Sequence, residues 1–186
     1  SSRMSQKMEA GAVGSFLGVR ECDVTLAIAE KTKQVLTERG YQVIMTRESN
    51  DVNMSWAERA RLAEKSGAGA LIHIHAHSQE STSVTGVLAS CQSSRNPYNG
   101  DLASESYALS SCIAGSVSQA AGAKNRGVKQ TDTSSEINWS QVPVTSLETG
   151  FLSNQQEELL LSQEEYQSQI AVGIADGLDQ FFAGRR

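Results

Sequence analysis

The sequence predicts an α/β protein: a three-layer α/β/α sandwich around a mostly parallel twisted sheet. Short apolar runs rich in β-branched residues, "YQVIMT", "LIHIHA", "TGVLASCQ" and "VPVTSLE", alternate along the chain with longer segments of helical period. Such alternation puts helices on both faces of a sheet. No internal repeat or linker interrupts the 186 residues, a length that suits one domain with a sizeable core.

The elements follow in order. The opening "SSRMSQKMEAGAVGSFLGVRE" is Ser/Gly-rich without a period and reads as a loop, long enough to suggest that something precedes it. From Asp23, a suitable N-cap, Val24, Ala27, Ile28, Val35 and Leu36 mark one helix face, and Gly40 stops it. "YQVIMT" is a strand, and a polar loop leads to Ser55 and Glu58, the spacing of a capping box that opens a short helix to about Lys65. "GALIHIHA" and "TGVLASCQ" are the next strands. "NPYNGD" has turn chemistry, and the helix after it carries Leu102, Leu109, Ile113 and Val117 up to Gly122. A loop with a short strand at Val128 leads to "VPVTSLE", where Pro143 belongs near the strand start because it cannot donate to a ladder. In the closing helix Ser162 and Glu165 have capping-box spacing, and Tyr166, Ile170, Ile174, Leu178 and Phe181 line one face.

Composition excludes several classes. With 39% hydrophobic and 20% charged residues the chain can bury a core and is not disordered. A net charge of −5, a pI near 5.2 and no Lys/Arg block argue against a nucleic acid or an anionic membrane as the main partner. No apolar run approaches the roughly 18 residues of a membrane span. Ser1 to Ala10 lacks the apolar segment of a signal peptide, so an exported protein would carry its signal upstream. Cys22, Cys91 and Cys112 are odd in number and lack C-x-x-C spacing. They support neither a thiolate metal site nor a disulfide framework, and leave at most one bridge.

All three histidines fall in "LIHIHAH", at 73, 75 and 77. Alternate positions of an extended chain share one face, so the imidazoles either converge on a metal or are satisfied separately by hydrogen bonds. Glu148 ends a buried strand and precedes Thr149-Gly150-Phe151; it is either a salt-bridged strand end or a base beside the site. Glu21, between a glycine-rich loop and a helix, serves either the helix N-terminus or the same site.

In series, "ECDVTLAIAEKTKQVLTERGYQVIMTRESNDV", "WAERARLAEKSGAGALIHIHAH", "NRGVK" and "VPVTSLETGFLSNQQEELLLSQEEYQSQIAVGIADGL" resemble the zinc-dependent N-acetylmuramoyl-L-alanine amidases of the Amidase_3 type over nearly the whole chain. The resemblance implies Zn2+ as cofactor, Glu21 and His75 as metal ligands and Glu148 as the catalytic carboxylate, with peptidoglycan or muropeptide as substrate and an exported, cell-wall location. Arg126 in "NRG" is a candidate for binding a peptide carboxylate. Two departures stand out. His73 and His77 occupy places where the family has Ser and Asn. The family's first strand ends in a Gly-His pair supplying the third ligand, and no such pair precedes Ser1, so that strand is expected upstream and His77 is a possible substitute. The implied reaction is zinc-assisted hydrolysis of the amide joining N-acetylmuramic acid to L-alanine. The rival reading is a non-hydrolytic peptidoglycan-binding module on the same fold. A small-ligand domain of flavodoxin-like shape is disfavoured by the lack of a phosphate-cradling glycine fingerprint.

Overall fold

Four strands, β1 (Leu71–His75), β2 (Val87–Cys91), β3 (Asn125–Gln130) and β4 (Val144–Glu148), form one sheet in the order β1-β4-β2-β3. The structure is a computed structural model that describes residues 11–185, so the first ten residues of the opening loop lie outside the described part. Pairings β1–β4 and β2–β3 are parallel, while β4–β2 in the middle is antiparallel. The predicted sheet is therefore mixed, with two parallel pairings of three.

Helices cover both faces. On one side α1 (Glu21–Glu38), α3 (Ala103–Ala121) and α6 (Glu164–Ala183) bury Ile28, Ile113, Val117, Ile170 and Ile174 together with Leu147 of the sheet. Each such fully buried aliphatic side chain is worth about 1.5–3 kcal/mol. On the other side α2 (Trp56–Lys65) and the single turn α4 (Ser135–Asn138) close a smaller cluster of Ala63, Leu71, Ile137 and Val144. A short helix, α5 (Gln155–Leu161), connects β4 to α6. Helices α3 and α6 approach closely because α6 presents Gly173 and Gly177: an added Cβ would lie 2.5 Å from Val117 Cα and 2.7 Å from Ile113 Cα. Among the described residues no helix is long and apolar enough to cross a membrane, and Cys22, Cys91 and Cys112 are free thiols.

Local signals held where both partners are near in sequence. The Ser55–Glu58 capping box is formed in full, and Gly122 ends α3 at φ 63°. Three expectations need correction. Helix α1 starts at Glu21 with Arg20 as N-cap, because the Asp23 and Val24 amides already donate to Arg20 O. Helix α6 starts at Glu164 with Gln163 as N-cap, because the Ser162 hydroxyl is spent on Leu159 O at the end of α5. The run Tyr41–Thr46 forms no ladder with any of the described residues. Its burial alternates as a strand's would, with Val43 packed on the core and Ile44 57% exposed, but a strand also needs a hydrogen-bonded neighbour.

What lies beside that run is a slot. A cavity of about 880 Å³ is lined by both Tyr41–Arg47 and Leu71–His75, with Leu26, Ala29 and Leu178 among its apolar walls, and it reaches Glu21 and His77. The outer edge of β1 lines it, since among the described residues β1 pairs only with β4.

Candidate metal centre

Register decides what meets at the end of the sheet. In the parallel β1–β4 pair, His73 lies opposite Ser146 and His75 opposite Glu148, so these four side chains share the face covered by α2 and α4. His73 and His75 therefore do share a face, as their spacing predicts. His77 lies beyond the strand, where Thr149 N–H and Oγ1–H both donate to His75 O and Leu152 N–H donates to His77 O. These bonds tie the departing chain to the segment after β4.

Glu21 reaches the same place from the first residue of α1. Its Oε2 accepts the Ala12 amide at 2.8 Å, and its Oε1 lies 3.2 Å from the Ala76 amide, 3.1 Å from His75 Nδ1 and 3.4 Å from His77 Nε2. The loop before α1 must pass close over this carboxylate. Gly11 permits it, with φ 74° and space for no Cβ, which would stand 2.9 Å from Glu21 Oε2. A second carboxylate holds the far side of that loop: buried Glu158 accepts the amides of Phe16, Leu17 and Val19, and a Cβ on Gly14 would collide with it at 2.0 Å.

One carboxylate oxygen and two imidazole nitrogens, from Glu21, His75 and His77, thus lie within 4.8 Å of one another. Glu148 adjoins them, accepting His77 Nδ1–H at 2.5 Å and the His77 amide at 3.1 Å. Glu136, on α4, accepts His75 Nε2–H at 2.8 Å. Charges are strongly coupled here. Burial opposes ionisation of Glu21, but the His75 hydrogen bond, the Ala12 amide and the charge of His77 hold its pKa at about 2. Burial likewise opposes charging His75, yet Glu136 and Glu21 raise it to about 10. Glu148 raises His77 against its burial, and Glu136 falls to about 2, His75 outweighing the effect of burial. His73 differs. Enclosed at 6% exposure, edge-on to Trp56 with centroids 5.2 Å apart and with Nε2 unpartnered, it is kept neutral by burial, its pKa lowered to about 4.

The structure therefore brings Glu21, His75 and Glu148 together, as expected from the sequence, with His77 beside them. Arg126 stands apart, exposed, with Nη1–H donating to Thr85 O at 3.3 Å. It is at the same end of the sheet: Asn125 pairs with Val87 and Leu88 with Glu148, so two strand spacings, roughly 10 Å, separate its strand from β4. Glu136 and Glu158 were missed. Neither has a local signature, since their partners are 61 and about 140 residues away.

Known proteins resemble this chain along most of its length. The profile of the N-acetylmuramoyl-L-alanine amidase family matches residues 6–180. The protein YqiI of Bacillus subtilis is 31% identical over 94% of the chain and 79% of its own length. The N-acetylmuramoyl-L-alanine amidase LytC of the same organism is 30% identical over 94% of the chain, which spans only 33% of LytC. Among solved structures, the catalytic domain of the amidase CwlV from Bacillus (Paenibacillus) polymyxa superposes with a TM-score of 0.79 at 28% identity, covering 94% of this chain and 92% of that one. An N-acetylmuramoyl-L-alanine amidase from Clostridium difficile 630 superposes with a TM-score of 0.84 at 25% identity, covering 96% and 92%.

Proposed function

Because the chain belongs to the N-acetylmuramoyl-L-alanine amidase family, we propose that it hydrolyses the amide between N-acetylmuramic acid and L-alanine in peptidoglycan, with the cluster at the ends of β1 and β4 as its metal-dependent active site. The observation that carries this reading is the convergence of Glu21, His75 and His77 within 4.8 Å, with Glu148 one hydrogen bond away. The donor set fits the group: catalytic zinc takes three nitrogen or oxygen ligands and keeps one position open. A bound Zn2+ would supply Lewis acidity at the scissile carbonyl and lower the pKa of water towards neutrality.

The chain's own residues do the rest. Glu21 and His75 would hold the metal, anchored by the Ala12 amide and by the Thr149 bonds to His75 O. Among the described residues the third ligand on offer is His77, whose Nε2 lies 3.4 Å from Glu21 Oε1. Glu148 accepts a proton from the attacking water as its oxygen adds to the lactyl carbonyl. It then gives that proton to the alanine nitrogen as the C–N bond breaks. The products are a muramoyl lactyl carboxylate and a peptide with a free α-amine. Arg126, exposed at the same end of the sheet, would bind a carboxylate of the substrate's peptide. Such a substrate places the working protein outside the membrane, at the wall.

The test is Glu148→Gln, which keeps shape and removes the base. With zinc supplied, fold and metal content are expected to persist while release of free amine from muropeptide drops by roughly 10²–10⁴-fold, the range for loss of general acid–base catalysis. Undiminished release would remove Glu148 from the mechanism.

A further inference from the structure

The geometry points to Glu136 as the positioning residue that fixes the tautomer and orientation of His75 for metal binding. This rests on the reading above of His75 as a ligand.

An imidazole has two nitrogens, and the structure divides them. Nδ1 faces the cluster, 3.1 Å from Glu21 Oε1, and Nε2 faces away, 2.8 Å from Glu136 Oε2. A ligand histidine must present a lone pair to the metal and keep its proton on the other nitrogen, and a hydrogen-bonded carboxylate behind the ring fixes that choice and raises the ring's basicity. Glu136 accepts at Nε2 and so leaves Nδ1 for the metal. Its carboxylate is 14% exposed, and the His75 ring 13%, so water competes little for this bond.

The turn that delivers Glu136 is firmly held. Next to it Ile137 is fully buried, packed with Ala63, Leu71 and Val144 under the sheet. The Asn99 side-chain amide donates to Ile137 O at 2.8 Å and to Ser140 O at 3.0 Å, and the Asn138 side-chain amide donates to Asp132 O at 2.8 Å. A residue satisfying only itself would not need this scaffold, whereas one that must stand at a fixed point behind a ligand ring does.

The test compares the wild-type chain with Glu136→Ala and Glu136→Gln, using zinc alone as the probe. Zinc affinity is measured by competition with a chromogenic chelator, and the His75 ring nitrogens are followed by 15N NMR under excess zinc. The wild type is expected to show a protonated Nε2 and metal at Nδ1. Glu136→Ala should weaken zinc binding by about 10–100-fold, the usual cost of losing such a partner, without lowering the melting temperature of the metal-free protein by a comparable fraction. Glu136→Gln, whose amide oxygen can still accept from Nε2–H, should recover part of the affinity and the same tautomer. Metal at Nε2, or unchanged affinity in Glu136→Ala, would overturn the role of Glu136 and leave the amidase reading standing. Zinc at Nδ1 in a protein that never cleaves muropeptide would overturn the amidase reading and leave Glu136 in its role. A wild type that binds no zinc would overturn both.

Discussion

Replacing Glu158 with glutamine should detach the loop that roofs Glu21. The carboxylate is fully enclosed and accepts three amides, from Phe16 at 2.9 Å, Leu17 at 2.8 Å and Val19 at 3.1 Å. Hydrogen bonds to a charged acceptor contribute about 1.5–3 kcal/mol and neutral ones about 0.5–1.5. The Glu158→Gln variant would lose roughly 1 kcal/mol at each of these bonds and turn an NH2 towards N–H donors, a destabilisation of about 3 kcal/mol. For a domain of this size that lowers the melting temperature by about 6–12 °C. The amides also set a pH window. Burial alone would raise the pKa of Glu158, but the amides of Phe16, Val19 and Leu17 hold it below the usual carboxylate range. A depressed folded-state pKa gives stability that is present above the unfolded value of about 4.3 and is lost as pH falls through the folded value. The gap between wild type and Glu158→Gln should therefore be full at pH 7 and shrink below about pH 4. Thermal melts of both proteins from acid to neutral pH measure it. A variant melting within about 1 °C of wild type at pH 7, against the expected drop, or a gap that persists undiminished in acid, would show that the charged Glu158 carboxylate does not hold the loop.

Two helical glycines should respond in opposite directions: Gly115→Ala in α3, where an added Cβ meets nothing within 4 Å, should gain about 0.5–1 kcal/mol, whereas Gly177→Ala in α6, where it would meet the Ile113 backbone at 2.7 Å, should lose about 1–3 kcal/mol by overpacking. Denaturant midpoints of the two variants check this, and the same sign for both would contradict the packing described. Arg126→Ala should raise KM for peptide-bearing muropeptides several-fold with little change in kcat, as expected for a group that binds substrate without reacting. A fall in kcat at constant KM would place it in the chemistry instead.

How much was legible in the sequence depended on how local the interaction is. The Ser55–Glu58 box, the glycine end of α3 and the apolar face of α6 were readable because residues a turn or two apart decide them. The same rules misplaced the starts of α1 and α6: the Arg20 carbonyl already draws the Asp23 and Val24 amides into the helix, and Leu159 O has engaged the Ser162 hydroxyl that was to cap. "YQVIMT" has the composition of a strand, but strand formation is a property of a pair, and it pairs with no strand among the described residues. At the site, the meeting of Glu21, His75 and Glu148 was expected from an ordered family pattern, and the structure brings the three side chains together. Glu136 was not, because nothing in "TSSEIN" reveals that α4 folds under the sheet and points a carboxylate at His75.

We propose that a metal held among Glu21, His75 and their neighbours drives amide hydrolysis there. Zinc bound per chain by equilibrium dialysis against buffered Zn2+, read beside amine release from muropeptide, tests it for wild type, His75→Ala and His73→Ala. Because His75 lies within the cluster while His73 is sealed beneath Trp56, His75→Ala should abolish both binding and turnover, and His73→Ala should retain most of the zinc. Equal zinc binding by wild type and His75→Ala, with turnover unchanged, would show that no catalytic metal is held at this cluster.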